Sequence, residues 1–190
     1  MSPQRSNRAN LIEGTLRCLE RLPAERVTAR VIAEEAGANL ASITYHFGSK
    51  DELVTAAVIE GLDRWLVEVA EGLAGLPGSE PVARFRKGWE MIEETRRRHV
   101  GLATNFVQAL AKAQHDSRIR TRLAEGFHRS RQAVAVLFGL GADEAGSDAA
   151  GLVLAMFDGL LFQMLLDPTL AVEGERMGDA QARLRHLLPE

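Results

Sequence analysis

With one cysteine, one tyrosine and six prolines in 190 residues, several classes of protein drop out at once. A lone Cys18 makes no internal disulfide and no cysteine-rich zinc site, so a reducing cytoplasm is the expected compartment. The first ten residues are polar, carry Arg5 and Arg8, and have no apolar stretch behind them, unlike a secretory leader. The most apolar run, Gly151 to Leu166, has 16 residues and is interrupted by Asp158 and Gln163. That is short of the ~20 residues needed to cross a bilayer, which predicts a buried helix and no membrane association. Catalytic signatures are missing too: there is no P-loop, no G-x-S-x-G elbow and no glycine-rich dinucleotide fingerprint. His99, His115, His128, Asp116 and the Glu93-Glu94 pair never adopt the Glu-x-x-His or His-x-x-x-His spacing that sets two metal ligands on one helical face. Arg96-Arg97-Arg98 reads as a solvated basic run near a helix end. Neither an enzyme nor a metal or cofactor is expected.

What is present is ordinary globular material, with 46% hydrophobic and 26% charged residues. Few prolines and only 5% aromatics, beside abundant Ala, Leu, Glu and Arg, favour helix over strand. The length allows one to one-and-a-half domains at roughly 150 residues each. The net charge of −3 conceals an asymmetry: residues 1–50 hold seven Lys or Arg against five acids, so the remaining 140 carry −5. A basic end on an acidic body is the sense expected for nucleic-acid binding, although an excess this small needs a motif beside it.

Apolar periodicity marks a series of helices. Ala9, Ile12, Leu16 and Leu19 line one face of a first helix ending near Leu22-Pro23, with Glu13 and Arg17 spaced as a pair on the other side. Thr28 is a good N-cap for a short helix that stops at Gly37, and Asn39 caps another from Leu40 to Phe47, ended by Gly48. Ser49 and Glu52 form an S-x-x-E capping box opening a long helix with Leu53, Val58, Leu62, Leu66, Val69 and Leu73 on one face. Gly75 to Pro81 breaks the pattern. Further stripes follow through Val82–Ile92, Leu102–Ala113 and Ile119–Phe138. After a glycine-rich loop, Phe138 to Gly146, the segment Asp148–Leu166 is apolar nearly all round and must be covered on every side. An amphipathic piece near Ala180–Leu188 closes the chain.

Two short helices joined by Gly37-Ala38-Asn39 make a helix-turn-helix, whose second helix enters the DNA major groove. The string from Thr28 through Ile32-Ala33, Ala36-Gly37, Tyr45-His46-Phe47 and Gly48-Ser49-Lys50 to Leu53 resembles the N-terminal signature of the TetR family of bacterial transcriptional regulators. The likeness is sharp over roughly residues 9–53 and only architectural beyond. It departs before the motif, where Leu19 and Leu22-Pro23 stand in place of a phenylalanine and a glycine–aromatic pair.

The resemblance implies an all-α fold, with a helix-turn-helix DNA-binding domain at 1–53 and a helical ligand-binding and dimerisation domain at 54–190. Thr28, Tyr45, His46 and Lys50 are then expected at the phosphate backbone, which positions the protein without reading bases. Matching positions nominate Asn39, Leu40, Ala41, Ser42 and Thr44 for base edges, with Arg30 as a bidentate guanine reader or else an i+4 partner of Glu34. Ile32, Ala33, Ile43 and Phe47 read as the core of the unit. In the body, Trp65, Phe85, Trp89, Met91, Phe106 and Phe127 are expected to wall a mainly apolar effector pocket. The last two long helices are expected to form a four-helix dimer seam, through Val134, Phe138, Gly151, Leu152, Ala155, Met156, Gly159, Phe162 and Gln163. The implied activity is repression by a homodimer on a palindromic operator, relieved by a small-molecule inducer. The alternative is a helical binding or interaction module that has lost specific DNA binding. Asp158, a carboxylate inside the apolar helix, fits a structural hydrogen bond, a ligand contact or an interface edge.

Overall fold

The computed structural model describes residues 3–23, 26–74, 81–172 and 174–184. All regular structure among them is helical: α1 Pro3–Arg21, α2 Ala29–Glu35, α3 Leu40–Phe47, α4 Lys50–Leu73, α5 Pro81–Thr95, α6 Val100–Ala113, α7 Ser117–Phe138, α8 Glu144–Leu166 and α9 Glu175–Leu184. Single 3-10 turns at Arg96–His99 and Pro168–Leu170 join neighbours. The expected all-α architecture is what the chain forms. The break at Gly75–Pro81, apart from Pro81, and the end of the closing amphipathic piece lie outside the described residues.

The chain divides into two compact units, Met1–Leu66 with Arg98–Ser130, and Val67–Arg97 with Arg131–Glu190. In the first unit Leu11, Leu19, Ile32, Ile43, Phe47, Leu53 and Val58 are buried. Their helices approach closely because glycines face the contacts. A Cβ on Gly14 would sit 2.8 Å from the Ala36 Cβ, and one on Gly101 would sit 1.9 Å from the Leu19 carbonyl oxygen. Arg17 does not pair with Glu13 along α1. Its Nε meets Glu35 Oε1 at 2.6 Å and its Nη2 donates to the Glu35 carbonyl at 2.8 Å, fastening the end of α2. Glu13 instead accepts from Arg64 of α4, whose guanidinium holds that carboxyl below the usual range. Cross-helix partners gave both side chains geometry that one exposed helical turn does not.

In the second unit Trp89 Nε1 donates to the Val172 carbonyl at 3.3 Å, and Phe85 packs against Phe138 with ring centroids 5.5 Å apart. The last apolar helix starts four residues earlier than its apolar pattern suggests, at Glu144, because Asp143 Oδ1 accepts from Gly146 N at 2.9 Å and caps it. The 23-residue α8, with a mean hydropathy of 1.9 over an 18-residue stretch, is long and apolar enough to cross a membrane, where the 16-residue run alone was not. Only Gly146, Ala150 and Leu161 of it are buried. Leu152 is 74% exposed and Leu166 86%, so the described residues do not supply the cover this helix needs.

Candidate DNA-reading surface

The short helices α2 and α3 are fixed by caps and by one left-handed glycine at each junction. Thr28 is extended at φ −97° and accepts from Val31 N at 3.3 Å; Asn39 is extended at φ −75° and accepts from Ala41 N at 2.9 Å. Gly37 at φ +59° ends α2 and Gly48 at φ +84° ends α3, both in the region where a side chain is strained. Their inner faces hold the expected core, since Ile32, Ala33, Ile43 and Phe47 are all at most 5% exposed. Arg8 lies over the Phe47 ring at 5.1 Å from its centroid, a contact absent from the sequence expectations.

With the inner face spent on the core, the outer face of α3 is left to solvent. Leu40, Ala41, Thr44 and Tyr45 are exposed, and Ser42 and His46 half-buried. Tyr45 is 71% exposed, although a tyrosine in a small helical unit would ordinarily be drawn into the core. Its ring stands edge-on to His46 with centroids 4.9 Å apart, so the two polar tips at the end of α3 are held as a pair. Asn39 spends its side-chain oxygen on the cap, leaving its amide nitrogen for other contacts. Arg30 is exposed and, among the described residues, forms no ion pair, so the alternative i+4 pairing with Glu34 is not made.

The next turn belongs to α4. Ser49 Oγ accepts from Glu52 N at 3.1 Å, which is half of the expected capping box. The other half is not formed: the Glu52 carboxylate turns to Arg118 at 3.1 Å and Arg122 at 3.6 Å, both of α7. Two cations outbid a single backbone N–H for that carboxylate. Lys50 Nζ donates to the Val27 carbonyl at 3.4 Å and lies 3.4 Å from Asp51 Oδ1. Asp51 also accepts from Lys112 of α6 at 2.7 Å. Burial pushes the Asp51 carboxyl up, but the Lys112 bond and charge, joined by those of Lys50, outweigh it and hold the group below its ordinary value. Lys112, Arg118 and Arg122 carried no sequence signal as site residues, because their relation to α4 is long-range.

Elsewhere, Trp65, Phe106 and Phe127 lie in the first compact unit, with Trp65 stacked near His99 at 4.6 Å and Phe106 near Phe127 at 5.8 Å. Phe85, Trp89 and Met91 lie in the second. Trp89 approaches Phe157 edge-on at 6.3 Å. Of the residues assigned to a dimer seam, Val134 and Phe138 are buried within the subunit, at 3% and 8% exposure. Leu152, Ala155 and Gln163 are exposed, Met156, Gly159 and Phe162 are half-buried, and Gly151 is covered by the Arg131 guanidinium. Val136, 83% exposed, is the large apolar side chain of α7 left outside. Period alone did not tell which flank of α7 faces in. Burial with no compensating partner pushes the Asp158 carboxyl up to about 6.

Two short capped helices across a tight turn, with exposed polar tips on the second and an adjoining lysine, form a helix-turn-helix unit of the kind that reads DNA. Residues 11–57 match the model of the bacterial regulatory proteins of the tetR family. Over this N-terminal segment the chain is similar to that family. No curated protein matches the chain by sequence. Solved structures share its fold. The multidrug binding protein EbrR, complexed with imidazole, is 23% identical with a TM-score of 0.67, covering 100% of this chain and 97% of its own. A candidate regulator from Saccharomonospora viridis in complex with choline is 21% identical at TM-score 0.63, covering 94% and 95%. A TetR transcription regulator from Haloarcula marismortui is 17% identical at TM-score 0.58, covering 85% and 87%.

Proposed function

We propose that the protein is a cytoplasmic, non-enzymatic repressor that binds a palindromic operator as a homodimer and is released by a small, mainly apolar effector held in residues 54–190. The observation that carries the reading is the outer face of α3: Leu40, Ala41, Thr44 and Tyr45 stand clear of the core on a helix pinned at both ends. Thr28, Tyr45, His46 and Lys50 meet phosphates, while Arg30, Asn39, Leu40, Ala41, Ser42 and Thr44 face base edges. One such helix reads only a few base pairs, so a symmetric pair on two half-sites supplies affinity. The exposed apolar side chains of α7 and α8, Val136, Leu152 and Leu166, favour those helices as the dimer surface. Two solved proteins of this fold hold imidazole and choline, which favours a small-molecule site in the body here.

Selection of bound duplexes from a random pool by the full-length protein tests this. The expected product is an inverted repeat with half-sites about one helical turn, or a multiple of it, apart. Recovery of asymmetric or unrelated sequences contradicts the dimeric operator, and recovery of none favours a binding module without DNA activity.

A further inference from the structure

The first turn of α4 places Lys50 beside two carboxylates, Asp51 and Glu52, at the edge of a surface proposed to approach a polyanion. Left uncompensated, those carboxylates repel phosphate and compete with it for the Lys50 ammonium. The compensation comes from residues far along the chain. Lys112, in the last turn of α6, donates to Asp51 Oδ1 at 2.7 Å, whereas Lys50 lies 3.4 Å from the same oxygen. Lys50 makes its own hydrogen bond to the neutral Val27 carbonyl, also at 3.4 Å. Glu52, with its side chain only 5% exposed, is met by Arg118 and Arg122 at the start of α7.

The corner that carries these cations is itself braced. Arg120 donates to the Ala113 and Gln114 carbonyls at 2.9 and 3.1 Å, and Asp116 Oδ1 accepts from Arg118 N at 2.9 Å and Ile119 N at 3.3 Å. On the α4 side, Thr55 Oγ1 donates to the Asp51 carbonyl at 2.8 Å. Asp51 and Lys112 share the lining of a small crevice with Val54, Thr55, Asn105, Gln108 and Ala109. Every one of these residues belongs to the first compact unit.

We infer that Lys112 is a positioning residue for DNA binding: by neutralising Asp51 it leaves the Lys50 ammonium available to a phosphate, so the α6–α7 corner sets operator affinity without touching DNA. The inference rests on the proposed DNA-reading role. Without Lys112, Asp51 takes Lys50 as its nearest cation, and a phosphate has to displace it. Both side chains of the Lys112–Asp51 pair are about 40% exposed, so the pair contributes little to folding, and its loss registers in binding rather than in melting temperature.

The test uses the full-length protein and a labelled duplex selected by the parent. Operator affinity and its salt dependence are measured for Lys112→Met, Lys112→Arg, Asp51→Asn and the Lys112→Met/Asp51→Asn double variant, with thermal melting of each. Lys112→Met is expected to weaken binding by about fivefold or more, in the range of ordinary coupling between sites. Lys112→Arg is expected to restore most of it. In the Asp51→Asn background, the Lys112→Met penalty is expected to fall below about twofold, as a charge effect acting through Asp51 requires. Unchanged affinity in Lys112→Met, or an equal penalty in both backgrounds, overturns the inference while leaving the regulator reading intact. A parent protein that selects no duplex overturns both.

Discussion

Gly101 is the position where a single methyl group should do most damage to the frame that holds the reading head. A Cβ there lies 1.9 Å from the Leu19 carbonyl oxygen and 2.9 Å from its carbon. Ordinary C···O approach is about 3.3 Å, so α6 and α1 have to separate by more than about 1 Å. The obstacle is backbone in the last turn of α1, not the end of a flexible side chain, and it does not swing aside. Overpacking of this kind costs about 1–3 kcal/mol, and the upper end applies because the obstacle is rigid. Alanine regains at most about 1 kcal/mol of helix propensity over glycine. The net is a loss of about 2 kcal/mol, or about 4–8 °C in melting temperature for a chain of this size. Gly178 in α9 has nothing within 4 Å of a built Cβ and serves as the control. Thermal unfolding followed by far-UV circular dichroism should show Gly101→Ala melting several degrees below the parent, and Gly178→Ala at or slightly above it. A Gly101→Ala protein that melts at the parental temperature refutes the close-approach argument.

Other expectations follow from single groups. Burial raises the Asp158 carboxyl to about 6, so the fold favours its protonated form. That stabilisation is present below the unfolded value near 3.9 and is lost as pH rises through about 6. Asp158→Asn should therefore stabilise the protein at pH 8, by at most about 3 kcal/mol and visibly as a higher melting temperature, and change little at pH 4; a gain that is the same at both pH values contradicts it. Leu152→Glu removes no contact a subunit needs but places an unpaired carboxylate on the proposed seam, so sedimentation should show folded monomers; a dimer of parental strength moves the seam elsewhere. Thr28→Ala removes the α2 cap and should cost about 1 kcal/mol of stability and weaken operator binding; unchanged affinity removes Thr28 from the phosphate contacts.

The helices and the reading head were legible because their signals are local. Thr28, Asn39 and the glycines at 37 and 48 act within three or four residues of themselves, and the structure uses each at its own junction. Apolar period placed Ile43 and Phe47 in the core for the same reason. What escaped the sequence depends on partners far along the chain. Glu52 looked like half of a capping box and Glu13 like half of a helical pair, yet both carboxylates found arginines on other helices. Gly14 and Gly101 gave no sign of marking helix contacts, since a helical glycine has no distinctive neighbours in sequence. Val134 and Val136 are equally apolar and two residues apart, and only the folded chain tells the buried one, 3% exposed, from the exposed one, at 83%.

The central claim is that the exposed face of α3 and the turn after it bind DNA. Titrating the parent, Tyr45→Ala and Lys50→Ala into a selected duplex, at several salt concentrations and against a scrambled competitor, tests it directly. The account predicts specific binding that falls steeply with salt, weakened in both variants, with the Lys50→Ala slope reduced by about one counterion per reading head. Parental affinity and slope in both variants would contradict it.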